Sequence, residues 1–106
     1  MTDYCVVFIT VPNDAQAERL TKILIEEKLA ACVNQISGIR STYWWEGQIE
    51  KGTEHLLIVK TRAGLLESLI STIKTNHSYS VPEIIALPIL AGNPDYLKWI
   101  DESTHD

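Results

Sequence analysis

A chain of 106 residues with a formal net charge of −5 has the size of one domain and buries roughly 65 % of its unfolded surface if it folds alone, enough for a core without staples. The acidic balance excludes a phosphate-backbone partner, which would select a face of Lys and Arg, so no nucleic-acid role is expected. The two cysteines, Cys5 and Cys32, lie far apart and outside any Cys-x-x-Cys spacing, which excludes a disulfide framework or a structural zinc site and fits a reducing compartment.

Tyr4 to Val11 is nearly unbroken apolar and rich in β-branched residues, the pattern of a strand buried on both faces. Pro12 ends it, and Asn13 or Asp14 offers an N-cap oxygen for a helix to about Leu29. Its apolar stripe is Ala17, Leu20, Ile23, Leu24 and the later Ala31. Cys32 to Trp45 and Gln48 to Thr61 are two β-rich runs joined at Glu46-Gly47, a tight-turn signal, and so predict a hairpin. Each arm of about 14 residues spans roughly 45 Å, well beyond the usual strand. Gly38 and Gly52 are expected to mark bends or bulges along the arms.

After Gly64, the residues Leu66, Leu69, Ile70 and Ile73 fall at helical spacing, and this second helix is expected to end near Asn76. Glu83 to Leu90 predicts another apolar strand, which tolerates Pro88 only at an edge or a bulge. Asn93 and Pro94 suit the cap and first turn of a short helix carrying Tyr96, Leu97, Trp99 and Ile100. The order βαββαβ plus a terminal helix predicts an α+β, ferredoxin-like sandwich in a single domain over residues 1–106. Three strands carry apolar residues at both parities, yet two helices cover only one sheet face. The other face is expected to be covered by further copies of the chain, making it an obligate oligomer.

Chemistry-bearing groups concentrate in His77-Ser78-Tyr79-Ser80-Val81-Pro82-Glu83, on a connection between packed elements where binding groups are often displayed. His77 admits two roles: a helix-end histidine meeting the unsatisfied carbonyls, or a metal ligand. Tyr79 and Glu83 flank Val81-Pro82 and are candidates to converge on one cleft. Tyr43 and Trp45 alternate to one face of the hairpin and Trp44 to the other, an aromatic patch suited to a subunit contact. Glu46, Glu50 and Glu54 are either a carboxylate row for a hard cation or charge protecting an edge. Lys60, mid-strand, needs a carboxylate or an anionic ligand, whereas His55 and His105 are isolated. Dinucleotide, phosphate-loop, zinc-protease and serine-hydrolase signatures are all absent, so no enzyme activity is expected. Neither a secretory leader nor a run of the roughly 18 apolar residues that span a membrane is present, and a cytoplasmic protein is expected.

Five ordered blocks carry a family resemblance. They are Glu27-Lys28-Leu29-Ala30-Ala31-Cys32-Val33-Asn34, Ser41-Thr42-Tyr43-Trp44-Trp45-Glu46-Gly47, Val59-Lys60-Thr61, His77 through Ile85, and Asp95-Tyr96-Leu97-Lys98-Trp99-Ile100. Together they resemble the CutA divalent-cation tolerance family from about Val6 to Ile100. The resemblance implies a cytoplasmic homotrimer with the hairpins built into its interfaces, similar in architecture to the PII signalling trimers. It also implies weak binding of Cu²⁺ or another divalent cation, without an organic cofactor. The copper ligands proposed for some members are a histidine pair and a cysteine of the first strand. Here His77 keeps one position, while Asn76 and Ile9 fill the other two. What the resemblance implies is therefore a weak site at His77, and an intersubunit cleft of Tyr43, Trp45, Lys60, Tyr79, Glu83 and Trp99. That cleft suits cations or, in a PII-like module, a small anionic ligand.

Overall fold

The computed structural model describes residues 3–104, so His105 lies outside the described residues. β1 (Tyr4–Val11) is followed by α1 (Asp14–Glu26), the paired strands β2 (Cys32–Trp45) and β3 (Gln48–Arg62), and a single 3-10 turn at Ala63–Leu65. α2 (Leu66–Asn76), β4 (Ile84–Pro88) and α3 (Pro94–Ser103) complete the order. The strands form one four-stranded sheet in the order β2-β3-β1-β4, and each neighbouring pair is antiparallel. Pro88 falls at the end of β4, an edge strand, where its missing N–H interrupts no central ladder.

Local signals account for most element ends. Asn13 caps α1, its side chain accepting from the Gln16 N–H at 2.9 Å, and Asn93 caps α3 by accepting from the Asp95 N–H at 3.0 Å. α1 stops at Glu26, short of the expected Leu29. Lys28 turns left-handed at φ 58°, so the Leu24 carbonyl accepts from both the Leu29 and the Ala30 N–H, at 2.9 and 3.2 Å. That geometry satisfies a terminal carbonyl of the helix while the chain turns Leu29 and Ala30 into the core. β4 is shorter than Glu83 to Leu90 at both ends.

Alternate strand positions sort into two faces. Cys5, Val7, Ile9 and Val11 of β1 and Leu57, Val59 and Thr61 of β3 are buried. The apolar ones form one core with Ala17, Leu20 and Leu24 of α1 and Leu65, Leu69 and Ile73 around α2. Both crossover helices therefore lie on the same face. The opposite face carries the rows Lys60, Val6, Leu87 and Ile58, Phe8, Ile85 across β3, β1 and β4. Here Leu87 is 50 % and Ile85 53 % exposed, a poor environment for apolar side chains.

α3 covers only one end of that second face. The Tyr4 hydroxyl donates to Asp101 Oδ2 at 2.6 Å, and Arg62 Nε donates to the Thr104 hydroxyl at 2.7 Å. Ile100 is fully buried but stands outside the main core. The ten-residue helix is too short to shield the remaining rows.

The hairpin turns at Glu46-Gly47 with both residues at positive φ, 50° and 78°, the two-residue turn whose twist matches its strands. Gly38 marks a bulge: between the pairs Ile36–Leu56 and Ile39–Glu54, β2 holds one residue more than β3. Its φ of +74° is the conformation a glycine bulge requires. Gly52, in contrast, pairs in continuous register with Ser41 and is not a bulge. A Cβ there would meet the Tyr43 hydroxyl at 3.7 Å, an ordinary van der Waals contact.

Candidate functional site

The bulge decides where the hairpin aromatics point. Without the extra residue, Tyr43 and Trp45 would share the parity of Val33 and face the helices; a single-residue shift exchanges the faces of all later side chains. With it, Tyr43 pairs with Glu50 and Trp45 with Gln48, on the open face shared by Glu54, Leu56 and Ile58. Trp44 and its partner Ile49 take the other side of the hairpin.

The segment from Ser78 to Glu83 closes over this open face. With β3 and the outer part of β2 it forms a cleft of ≈ 740 Å³ that includes Tyr43, Trp45, Glu50, Glu54, Tyr79 and Glu83. Four of the seven sequence-predicted site residues, Tyr43, Trp45, Tyr79 and Glu83, thus line one space. Thr10 and Ser41 also line it and escaped the sequence reading. The available signal for Thr10 was a hydroxyl interrupting an apolar strand.

The loop is pinned from below by His77. The Tyr79 N–H donates to His77 Nδ1 at 3.0 Å, and His77 Nε2 lies 2.8 Å from the Thr10 carbonyl. A carbonyl only accepts, so Nε2 carries the proton and the ring is neutral, with both nitrogens engaged. The Ser78 N–H donates to Gln16 Oε1 at 2.9 Å, tying the same loop to α1. The His77 and Tyr79 rings stand 4.8 Å apart. His77 therefore points at the sheet, and a cation reaches its lone pair only in competition with the Tyr79 amide.

The cleft itself is acidic. Tyr79 donates its hydroxyl to Glu54 Oε2 at 2.8 Å. Burial raises the Tyr79 phenol, and the bond to Glu54 and that carboxylate's charge raise it further. Glu83 is also raised above the usual carboxylate range, first by burial and then by the charge of Glu54. Glu50, Glu54 and Glu83 line the space together, and no Lys or Arg does. Among the described residues no group of three or more His, Cys, Asp or Glu side chains is gathered as a metal site.

Lys60 and Trp99 lie elsewhere. Lys60 pairs with Val6 and Cys32, roughly 20 Å along β3 from Glu54 at ~3.3 Å per residue. Its ammonium donates to Asn34 Oδ1, which also receives Cys32 Sγ at 3.8 Å. Tyr96 is raised by burial and by Cys32, and its ring stands 5.4 Å from that of Trp99. This second cluster sits at the end of the open face that α3 covers. Within one chain the two groups do not meet.

No helix among the described residues is long and apolar enough to cross a membrane. The model of the CutA1 divalent ion tolerance protein family matches residues 5–103. The chain is 54 % identical over 101 residues to the chloroplastic protein CutA 1 of Oryza sativa subsp. japonica, covering 95 % of this chain but 57 % of the rice protein. It is 48 % identical over 99 residues to the divalent-cation tolerance protein CutA of Thermus thermophilus, covering 93 % of this chain and 96 % of the relative. Among solved structures, CutA1 of Oryza sativa superposes with a TM-score of 0.96 at 51 % identity, covering 99 % of this chain and 96 % of the other. The chain belongs to the CutA1 divalent ion tolerance family.

Proposed function

We propose that this protein serves divalent-cation tolerance without catalysis, as a homotrimer that takes Cu²⁺ or Zn²⁺ weakly at the acidic cleft. The observation that carries this reading is that Glu50, Glu54 and Glu83 line one cleft without Lys or Arg, where burial first and the charge of Glu54 second raise Glu83 above the usual carboxylate range. Two carboxylates that repel each other in a space without Lys or Arg are relieved by a cation. Tyr79 and, once released by its loop, His77 supply further donors. The relatives' names, divalent-cation tolerance protein among them, point the same way.

Assembly follows from the open face. The strand order β2-β3-β1-β4 with both helices on one side supports the split βαβ arrangement of a ferredoxin-like sandwich. Its second face needs a cover that α3 does not supply. Sheet-to-sheet packing of three copies, with the long hairpins reaching across, removes Phe8, Ile58, Ile85 and Leu87 from water in a PII-like assembly. In this reading the Lys60 and Trp99 cluster of one copy supplies the opposite wall of another copy's cleft. The free thiols Cys5 and Cys32 support a reducing compartment such as the cytoplasm.

Calorimetric titration with Cu²⁺ tests the site. Weaker binding by Glu83→Gln and by His77→Ala is expected, and isotherms identical to the wild type remove the cleft from the reading. A second reading, a small anionic ligand held between copies, is favoured by Lys60, whose ammonium contacts a neutral amide rather than a carboxylate. Thermal-shift screening against anionic metabolites tests it. A hit that survives Lys60→Ala unchanged counts against it.

A further inference from the structure

Away from the cleft, on the helix-side face of the sheet, three side chains from three elements meet at one atom. Gln35 Nε2 donates to Asp14 Oδ1 at 2.7 Å and lies 3.0 Å from His55 Nδ1. The amide nitrogen carries two protons and no lone pair, so both contacts run from it, and His55 Nδ1 is the accepting nitrogen of a neutral ring. A carboxylate oxygen and an imidazole lone pair thus point at the same position from α1 and β3. The group between them is a neutral amide with partial positive charge.

We propose that Asp14, Gln35 and His55 form a second divalent-cation site, distinct from the cleft, for a borderline ion such as Zn²⁺ or Cu²⁺. The donor set suits such ions: imidazole nitrogen and carboxylate oxygen both bind zinc, at about 2.0–2.2 Å. Gln35 is the movable part. Its side chain is exposed, whereas His55 is partly buried and paired with Val11 at the end of β1, and Asp14 is held at the first turn of α1. Rotation of the Gln35 amide withdraws Nε2 and turns Oε1 inward as a third ligand, leaving water to complete the shell. The remaining two donors keep their lone pairs aimed inward.

The site is weak by construction. Two strong protein ligands fall short of the three or four of dedicated zinc sites, and the positive end of α1 lies close to Asp14. His55 alternates with Glu54 along β3, so the site lies on the opposite face of the sheet from the cleft.

Titration of the full chain with Zn²⁺ alone, followed by calorimetry, tests the assignment in wild type, His55→Ala, His77→Ala and Gln35→Glu. Gln35→Glu replaces the amide by a third anionic ligand, and binding at least tenfold tighter than wild type is expected. Adding His55→Ala to Gln35→Glu is expected to abolish that gain, and His77→Ala to leave it intact. A hydrogen-bonded latch alone gives a different result in the native sequence, because the wild type and His55→Ala then take up Zn²⁺ with the same isotherm. Unchanged binding in Gln35→Glu, or a gain that survives His55→Ala, overturns the proposal. Zn²⁺ binding lost in Glu83→Gln but unaltered by His55→Ala and Gln35→Glu overturns this site while leaving the cleft.

Discussion

Tyr79 and Glu54 join the loop after α2 to the middle of β3 through a 2.8 Å hydrogen bond from phenol to carboxylate. Burial and the neighbouring carboxylate both raise the phenol, so Tyr79 remains a donor throughout the physiological range. Tyr79→Phe removes the donor and leaves a partly buried carboxylate without it. A loss of about 1 kcal/mol is expected, at the low end for bonds to a charged group because water reaches the cleft. Urea denaturation at fixed protein concentration measures it, and an unchanged midpoint removes this bond from the stability of the loop.

Glu83 sets the sign of a pH effect. Its folded-state pKa is raised above the ordinary value of 4.5 by burial and by Glu54, so the folded protein holds this proton more tightly than the unfolded chain. Stability from this group is full at pH values below the unfolded pKa and is lost as pH rises through the interval up to the raised value. Glu83→Gln is therefore expected to melt higher than wild type at pH 7, with the difference vanishing near pH 4. Thermal melts across that range decide it, and a variant that melts lower at pH 7 contradicts the sign.

Gly38 separates strain from register. A side chain there meets nothing within 4 Å, so Gly38→Ala costs only the left-handed backbone conformation, roughly 1–2 kcal/mol. Deleting Gly38 is a different experiment, because it removes the extra residue and sends Tyr43 and Trp45 to the opposite face. Near-ultraviolet circular dichroism and tryptophan fluorescence are expected to change strongly for the deletion and little for the alanine variant. Equal spectra for both deny the bulge its role.

Ile85 probes the open face. At 53 % exposed it adds little to the core of one chain, so Ile85→Lys leaves the fold intact. In the proposed assembly the same ammonium is forced into an apolar contact. Sedimentation is expected to show the wild type as a trimer and the variant as smaller species at micromolar concentration. A folded wild-type monomer under those conditions ends the assembly argument.

Much of this architecture is legible in short stretches of sequence. The caps at Asn13 and Asn93 and the positive-φ turn at Glu46-Gly47 are decided within a few residues. The unpaired face is legible too, because apolar residues at both parities of β1 and β3 exceed what two helices cover. The ends of α1 and β4 are less so. α1 stops early because Lys28 turns left-handed to deliver Leu29 and Ala30 to a core built by β1 and β3, a demand that no local residue states.

Composition and periodicity by themselves determined the order of elements, the long hairpin and the concentration of polar groups from His77 to Glu83, because each depends on neighbours along the chain. Only the tertiary structure decided which of those groups meet. The Gly38 bulge turns Tyr43 and Trp45 toward Glu54, Tyr79 and Glu83, and the lengths of β1 and β3 hold Lys60 and Trp99 at the far end of the sheet. His77 shows the difference most directly. Its sequence position admits a metal ligand as well as a helix-end histidine, and a carbonyl from β1, distant in sequence but adjacent in space, fixes its proton on Nε2 and gives its other nitrogen to the loop.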